Sequence, residues 1–257
     1  MFTWLKNRRR RRILATPMPD SWRRFLQKNV GWYALLSEPE KAKLERDLRV
    51  FLAEKHWEGC DGLKLTQEMQ VTIAGQACLL ALAWTDYFFE RVQTILIYPS
   101  AYRTKPAGDD FDQPSIRSGE VLSGGPVVLS WRDSLVDARG ARDGRNVVLH
   151  EFAHVLDMEN GAVDGVPLLG SLDQERAFHS LIHTELDALR RAVDQRRPTL
   201  LDPYGASNPS EFFAVATEAF FELGPLVRQR HPELYRLLAD YYRQDPAERI
   251  LAANSSL

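Results

Sequence analysis

One short segment of the chain, Asn146-Val-Val-Leu-His150-Glu151-Phe-Ala-His154-Val-Leu-Asp157, holds the residues best suited to chemistry. On a helix, the i and i+4 spacing places His150 and His154 on one face, one turn apart, so both imidazoles can bind one metal ion. Glu151 would then lie beside the open coordination position, where its carboxylate can take a proton from water. The pattern is typical of a zinc site, one Zn²⁺ per chain, that hydrolyses peptide bonds.

Three fixed positions also occur by chance, so the surroundings of the motif decide its interpretation. The segment is apolar on nearly every side, which predicts a buried helix; its apolar residues are Val147, Val148, Leu149, Phe152, Val155 and Leu156. Two histidines and a glutamate buried without partners would be costly, and a metal would satisfy them. His179 and His183 share the i, i+4 spacing but lack the glutamate, so we interpret that pair as ordinary helix surface.

Catalytic zinc usually has three protein ligands and one open position, so a third ligand is expected. Glu175 is a candidate, but its surroundings are typical of a helix-start acid. Glu211 is better placed, because it opens an aromatic-rich helix whose N-terminus favours an ionised carboxylate. Its alternative role is the partner of Asn208 in a capping box, with Pro209 at the first helical position.

Two further acids are expected to support the metal ligands from outside. Glu218 lies two turns after Glu211 on the same helix face, where it can accept the free N–H of a histidine ligand. Asp157, at the end of the metal helix, is assigned to the same outer set. The metzincin pattern would require glycine and histidine where Asp157 and Asn160 stand, so that class is excluded.

Composition and length indicate a globular chain. The 257 residues, 44% of them hydrophobic, suit one large domain or a domain with a helical extension. A net charge of −2 argues against direct nucleic-acid binding. Cys60 and Cys78 are too few for a disulfide framework, and we expect buried free thiols. No apolar run reaches the length of a membrane span and the start lacks the apolar core of a secretory signal, so the expected compartment is the cytoplasm.

The chain begins with a cationic block, Arg8 to Arg12, preceded by Phe2, Trp4 and Leu5. One interpretation is a solvated, mobile arm. The other is a weak anchor for anionic lipid or an acidic partner, because clustered arginines beside aromatic residues suit a membrane interface. We place this basic arm at residues 1–19 and one metallopeptidase domain at 20–257, which consists of an N-terminal helical part at 20–90 and a catalytic part at 91–257.

The remaining pattern predicts a helix-dominated α+β fold with a small sheet. Residues 20–83 show helical spacing, interrupted at Gly59-Cys-Asp-Gly62, and two short β-rich runs follow at 94–98 and 126–131. Pro126 at the start of the second run favours an edge strand. Such an edge could hold an extended peptide through main-chain hydrogen bonds, although a capped edge is equally compatible; this predicted substrate strand comprises Val127, Val128, Leu129, Ser130 and Trp131.

Three longer segments resemble one known family. They are Gly-Arg-Asn-Val-Val-Leu-His-Glu-Phe-Ala-His (144 to 154), Gly-Pro-Val-Val-Leu-Ser-Trp (125 to 131) and Asp-Pro-Tyr-Gly-Ala-Ser-Asn-Pro-Ser-Glu-Phe-Phe-Ala-Val-Ala-Thr-Glu (202 to 218). These segments are similar to the Mlc titration factor A family of bacterial zinc peptidases. The arginine-rich start and Ile-Tyr-Pro-Ser (97 to 100) agree, so the resemblance covers nearly the whole chain and is far more specific than His-Glu-x-x-His alone.

The resemblance implies a zincin-like gluzincin whose site is similar to that of the anthrax lethal factor catalytic domain. It implies His150, His154 and Glu211 as ligands, Glu151 as general base, and Tyr204 as a donor to the developing oxyanion. A phenol suits that last role, because it donates a hydrogen bond without carrying charge. Members of the family also bind a glucose-responsive transcriptional repressor and show aminopeptidase-like activity.

A function from another class remains open on the sequence. In that alternative the chain is a binding protein that sequesters a transcriptional regulator through surface contacts, and its zinc is structural. The two functions differ in what Glu151 does, because only the peptidase needs a general base at that position.

Overall fold

Helices dominate the structure, as the sequence predicts. The computed structural model describes residues 2–103, 116–117, 119–121, 125–140 and 143–254. The α-helices of these residues are α1 Phe2–Ala15, α2 Asp20–Asn29, α3 Glu38–Glu54, α4 Gln67–Leu80, α5 Trp131–Ala138, α6 Val147–Asp157, α7 Leu172–Asp194, α8 Pro209–Glu222, α9 Gly224–Arg230, α10 Pro232–Tyr242 and α11 Pro246–Asn254. Short 3-10 helices cover Gly31–Leu35, Met158–Asn160 and Pro203–Ala206.

The strands are short and form one small mixed sheet and one separate pair. They are β1 His56–Gly59, β2 Thr94–Tyr98, β3 Tyr102–Arg103, β4 Ile116–Arg117, β5 Gly119–Val121 and β6 Val127–Ser130. In the sheet, the order is β1-β2-β6-β5, with β1, β2 and β6 parallel and β5 antiparallel to β6. The predicted α+β class is therefore confirmed. Strand β1 was not predicted, because it lies in a region where helical spacing prevails on both sides.

The predicted position of the second β-rich run at an edge is wrong. Strand β6 lies between β2 and β5, and all four of its residues are buried. Val127, Val128 and Leu129 pair with both neighbouring strands, Ser130 pairs with Tyr98 of β2, and Trp131 already begins α5. The reason is that part of the polar stretch predicted as a loop supplies β5, whose backbone occupies the hydrogen-bonding groups of β6 that an edge strand would leave free. Within the described residues, the outer strands of this sheet are β1 and β5.

The core joins the N-terminal helices directly to the helix that carries the histidine motif. Phe152 of α6 packs against Phe51 of α3, with ring centroids 5.8 Å apart, and against Phe89, at 4.8 Å. In α4, Gly75 allows a close approach to α2, since a Cβ at that position would lie 2.7 Å from Leu26 Cδ2. The N-terminal helical part is thus a scaffold against which α6 is held.

The basic N-terminal segment is a docked helix, which corrects the interpretation as a solvated, mobile arm. On the inner face of α1, Arg10 is almost fully buried and forms a bidentate pair with Glu54, at 2.8 and 2.7 Å. Arg10 also lies 3.0 Å from Glu90, and its guanidinium stacks over the Phe88 ring at 4.1 Å. Lys6 contacts the same Glu90 carboxylate at 2.9 Å. Charge pairing therefore holds this helix against the body.

Cys60 and Cys78 are both free, as predicted, but Cys60 is only half-buried whereas Cys78 is buried. In the parts of the chain that the structure describes, no helix has both the length and the apolar character needed to cross a membrane.

Candidate metal centre

Helix α6 presents the two motif histidines side by side. The helix begins after Asn146, whose side-chain Oδ1 accepts a hydrogen bond from Leu149 N at 3.0 Å, and its 3-10 extension ends at Gly161, with φ of +90°. The imidazole rings of His150 and His154 lie 4.8 Å apart between centroids, and their Nε2 atoms are separated by 3.2 Å. Both Nε2 atoms thus point to one common position.

Glu211 reaches that position from α8. Asn208 caps the helix by accepting from Glu211 N at 3.0 Å, which is one half of the predicted capping box. The Glu211 side chain does not complete the box but turns to the histidines, with Oε2 lying 3.0 Å from His150 Nε2 and 3.3 Å from His154 Nε2. The three ligand atoms lie within 4.8 Å of one another, and together these residues could hold a metal ion.

The donor set and its charge fit a divalent cation. Burial by itself would lower the pKa of His150, but hydrogen bonds to Glu211 and Glu218 raise that pKa to about 10. Burial would likewise raise the pKa of Glu211, whereas its hydrogen bonds with His150 and His154 hold the pKa well below its ordinary range. The pocket therefore favours positive charge between two imidazoles and an ionised carboxylate, and such nitrogen and oxygen ligands suit zinc.

Each histidine has an outer partner that orients its ring. His150 Nδ1 lies 2.7 Å from Glu218 Oε1, and His154 Nδ1 lies 3.0 Å from Ser210 Oγ. When the Nε2 atoms act as ligands, each Nδ1 carries the hydrogen and donates to its partner. Glu218 thus lies where the sequence places it. Ser210 was missed, because a serine in the first turn of a helix gives no sequence signal of its own.

Asp157 is close to this outer set but does not contact a histidine directly. Burial raises the pKa of its carboxylate, while the Ser210 hydroxyl and the Gly165 amide that face it lower that pKa. Neither carboxylate oxygen forms a hydrogen bond with the described residues. Asp157 therefore lies near Ser210, the partner of His154, without a hydrogen bond of its own to either residue.

Glu151 is buried beside the histidines and has the environment of a proton acceptor. Only 5% of the residue is exposed, and its Oε2 has no hydrogen-bond partner among the described residues. Burial raises its pKa to about 7, although His150 and His154 oppose that rise. Strand β5 covers the carboxylate closely: a Cβ at Gly119 would lie 2.3 Å from Glu151 Oε1. A larger residue at position 119 would therefore require the Glu151 side chain to move.

Tyr204 lies at the rim of the centre, on the 3-10 helix that precedes α8. Its hydroxyl is 3.3 Å from Glu211 Oε1, and its ring centroid is 6.2 Å from that of His150. The residue is 55% exposed, so the hydroxyl borders both the histidines and the solvent. This location suits a hydrogen bond to a group that enters from outside.

The other candidate histidines and the alternative acid do not join this site. His179 is exposed on α7, and its ring stacks near that of His183, with 4.1 Å between centroids. Glu175 stands in the first turn of the same helix. Among the described residues, the cluster of three side chains that could hold a metal ion lies on α6 and α8 and includes none of these residues.

A buried polar network behind the centre was not predicted from the sequence. Asn146 donates its backbone N–H to Glu218 Oε2 at 2.5 Å and its side-chain amide to Glu222 Oε1 at 3.3 Å. Trp32, on the first 3-10 helix, donates its Nε1–H to the same Glu222 oxygen at 3.1 Å. The network links the N-terminal part to Glu218 and, through it, to His150. Burial raises the pKa of Glu222 to about 7, against the opposing effect of these two donors.

Comparisons with known proteins identify related chains along almost the whole length. A model of the family described as glucose-regulated metallo-peptidase M90 matches residues 4–243. An uncharacterized protein of Synechocystis sp. is 39% identical over 244 residues, which is 93% of this chain and 89% of that relative. Proteins named Mlc titration factor A from Yersinia pestis and Yersinia pseudotuberculosis are 34% identical over 266 residues, which covers 99% of this chain and 93% of each relative.

Proposed function

The chain belongs to the glucose-regulated metallo-peptidase M90 family, and from that premise we propose that it is a zinc-dependent peptidase that hydrolyses peptide or protein substrates. The family resemblance carried by the sequence motifs is thereby confirmed. The observation that carries the proposal is the convergence of His150, His154 and Glu211 beside the buried Glu151, whose Oε2 has no hydrogen-bond partner among the described residues. Metal ligands alone would suit a structural site, whereas an adjacent proton acceptor suits hydrolysis.

In this proposal His150, His154 and Glu211 hold one zinc ion per chain. Bound there, zinc would polarise a peptide carbonyl and lower the pKa of water toward ~7. The ring orientation of His150 would be fixed by Glu218, and that of His154 by Ser210 with Asp157 near it. Three protein ligands with an exposed rim are the arrangement of catalytic zinc, and the glutamate ligand supports placing the chain among the gluzincins.

Glu151 would act as general base through its unpaired Oε2. Its carboxylate would accept a proton from the attacking water and return it to the leaving amine. Burial raises the pKa of this carboxyl group, which makes it a stronger base than an exposed glutamate. Tyr204 would donate its hydroxyl to the oxygen that becomes negative during attack, from the rim of the pocket. The backbone of β5 excludes bulk water from one side of Glu151, which strengthens each electrostatic contact there.

The proposal is tested by separating metal binding from proton transfer. Glu151→Gln should retain about one zinc per chain while peptide hydrolysis falls by ~10²–10⁴-fold. The double variant His150→Ala/His154→Ala should lose both zinc and activity. A double variant of His179 and His183 to alanine is the matched control, because it removes a histidine pair with the same i, i+4 spacing that lies on α7, away from the metal centre. Unchanged peptidase activity in folded Glu151→Gln protein would refute the proposed role.

The relatives' printed name suggests a partner as well as a substrate. Proteins called Mlc titration factor A are named for an effect on Mlc; we propose that a transcriptional repressor of the Mlc type binds this chain, in the cytoplasm. Aminopeptidase-like cleavage is the expected preference. The rival function is sequestration of that repressor with zinc in a structural role. It would gain support if Glu151→Gln bound the repressor normally and the wild-type protein cleaved no member of a peptide library.

A further inference from the structure

One face of helix α1 is turned away from the body and combines apolar with cationic side chains. Each residue of an α-helix is rotated by ~100° from the last, so Trp4, Leu5, Arg8, Arg11 and Arg12 fall on the same side. Trp4 is 59% exposed and Leu5 is 54% exposed. The three arginines are exposed on the following turns, and the Arg8 guanidinium lies 5.6 Å from the centroid of the Trp4 ring. We call these five residues the outer face of α1.

The opposite face fixes the orientation of the helix. Lys6 and Arg10 are bound by Glu54 and Glu90, and Arg49 Nη2 donates to the Ile13 carbonyl at 2.7 Å. Body carboxylates therefore neutralise Lys6 and Arg10 but not the arginines of the outer face, and Arg9 between them donates to the Ala53 carbonyl at 2.9 Å.

No carboxylate of the described residues pairs with the arginines of the outer face. Helix α1 also has no acidic residue in its first turn to offset their charge. The chain as a whole has a net charge of −2, so attraction to a polyanion is local to this face and is not a property of the molecule.

We propose that the outer face of α1 docks the protein onto the surface of an anionic lipid bilayer. A tryptophan and a leucine at the N-terminal end of this face can enter the headgroup boundary, while the arginines of the following turns contact lipid phosphates. A nucleic acid would favour the arginines but would leave Leu5 without an apolar environment, so the composition of the face favours a bilayer. The proposal does not depend on peptidase activity, because none of these residues lies at the metal centre.

The direct test measures binding of the full chain to vesicles. Vesicles of phosphatidylcholine and phosphatidylglycerol at about three to one should bind the wild-type protein in sedimentation, and binding should weaken as salt is raised. Arg8→Gln/Arg11→Gln/Arg12→Gln should weaken binding by about 100-fold, at about fivefold for each arginine near the surface. Trp4→Ser should also weaken binding, and these changes leave the inner-face pairs of α1 intact.

A matched control has the same change of charge elsewhere. Arg191, Arg196 and Arg197 are exposed near the end of α7, and their triple change to glutamine should leave vesicle binding unchanged. Peptide hydrolysis and circular dichroism should be normal in both triple variants. The proposal is overturned if the two variants lose binding equally, if pure phosphatidylcholine vesicles bind the wild type as well, or if the wild type binds double-stranded DNA but no vesicles.

Discussion

Replacing Glu222 by glutamine should make the protein more stable at alkaline pH than the wild type. Glu222 is buried, with 2% of the residue exposed, and its Oε1 accepts hydrogen bonds from Trp32 and Asn146. Glutamine retains a carbonyl oxygen for these donors and removes the buried charge. Nearby Asp137, whose pKa burial raises to about 7, and Asp143 further disfavour that charge.

The magnitude follows from the pKa of Glu222, which rises from 4.5 to about 7 on folding. Such a difference corresponds to at most about 3 kcal/mol. Because folding raises the pKa of Glu222, its protonated form stabilises the wild-type protein. That contribution is fully present below the unfolded pKa and is lost as pH rises through the folded pKa. The free energy of unfolding of Glu222→Gln, relative to wild type, should therefore increase by up to about 3 kcal/mol between about pH 4.5 and about pH 8.

The assay is urea denaturation of the metal-free proteins across this pH range, followed by circular dichroism. The slope of the stability difference against pH is the readout, so a constant offset from repacking of the glutamine does not affect it. Glu233→Gln, at an exposed position of α10, is the matched control and should show no such slope. The expected increase is contradicted if the free energy of unfolding of Glu222→Gln, relative to wild type, stays constant or falls as pH rises. Burial would then not raise the pKa of Glu222.

Three further changes probe the centre and its supports. Glu211→Ala should abolish stable zinc binding, whereas Glu218→Gln should weaken it by ~10–100-fold in competition titrations; the reverse order would contradict their assignment. Gly119→Ala should retain zinc but reduce kcat/KM, because the added Cβ would lie 2.3 Å from the Glu151 carboxylate; unaltered kinetics would refute that close contact. Asn208→Ala should lower the free energy of unfolding by ~1 kcal/mol through loss of the α8 cap, as measured in urea.

The elements that carry the site were predictable because their signals are local. The spacing of His150 and His154 fixes their common face through helix geometry alone, and Asn146 and Asn208 mark the starts of their helices through bonds three residues away. Glu211 could also be preferred to Glu175 as the third metal ligand, because the apolar neighbours of Glu211 indicate that its helix is buried.

The sheet shows where such local reasoning fails. Strand β2 was predicted with its observed bounds, but the interior position of β6 depends on its pairing with β5. The residues of β5 have no alternating apolar pattern, and Gly119 lies against the Glu151 side chain of α6. A strand that forms to cover a distant side chain carries no periodic signal of its own.

The candidate metal ligands and the helices that bear them therefore follow from local sequence patterns. The Ser210 contact, the network from Trp32 to Glu218, and the separation of the paired α1 cations from the outward ones follow from packing between distant segments. The physical reason is distance along the chain. Helix periodicity and caps involve residues three or four apart, whereas Trp32 and Glu222 are separated by 190 positions and meet only when the whole core has packed.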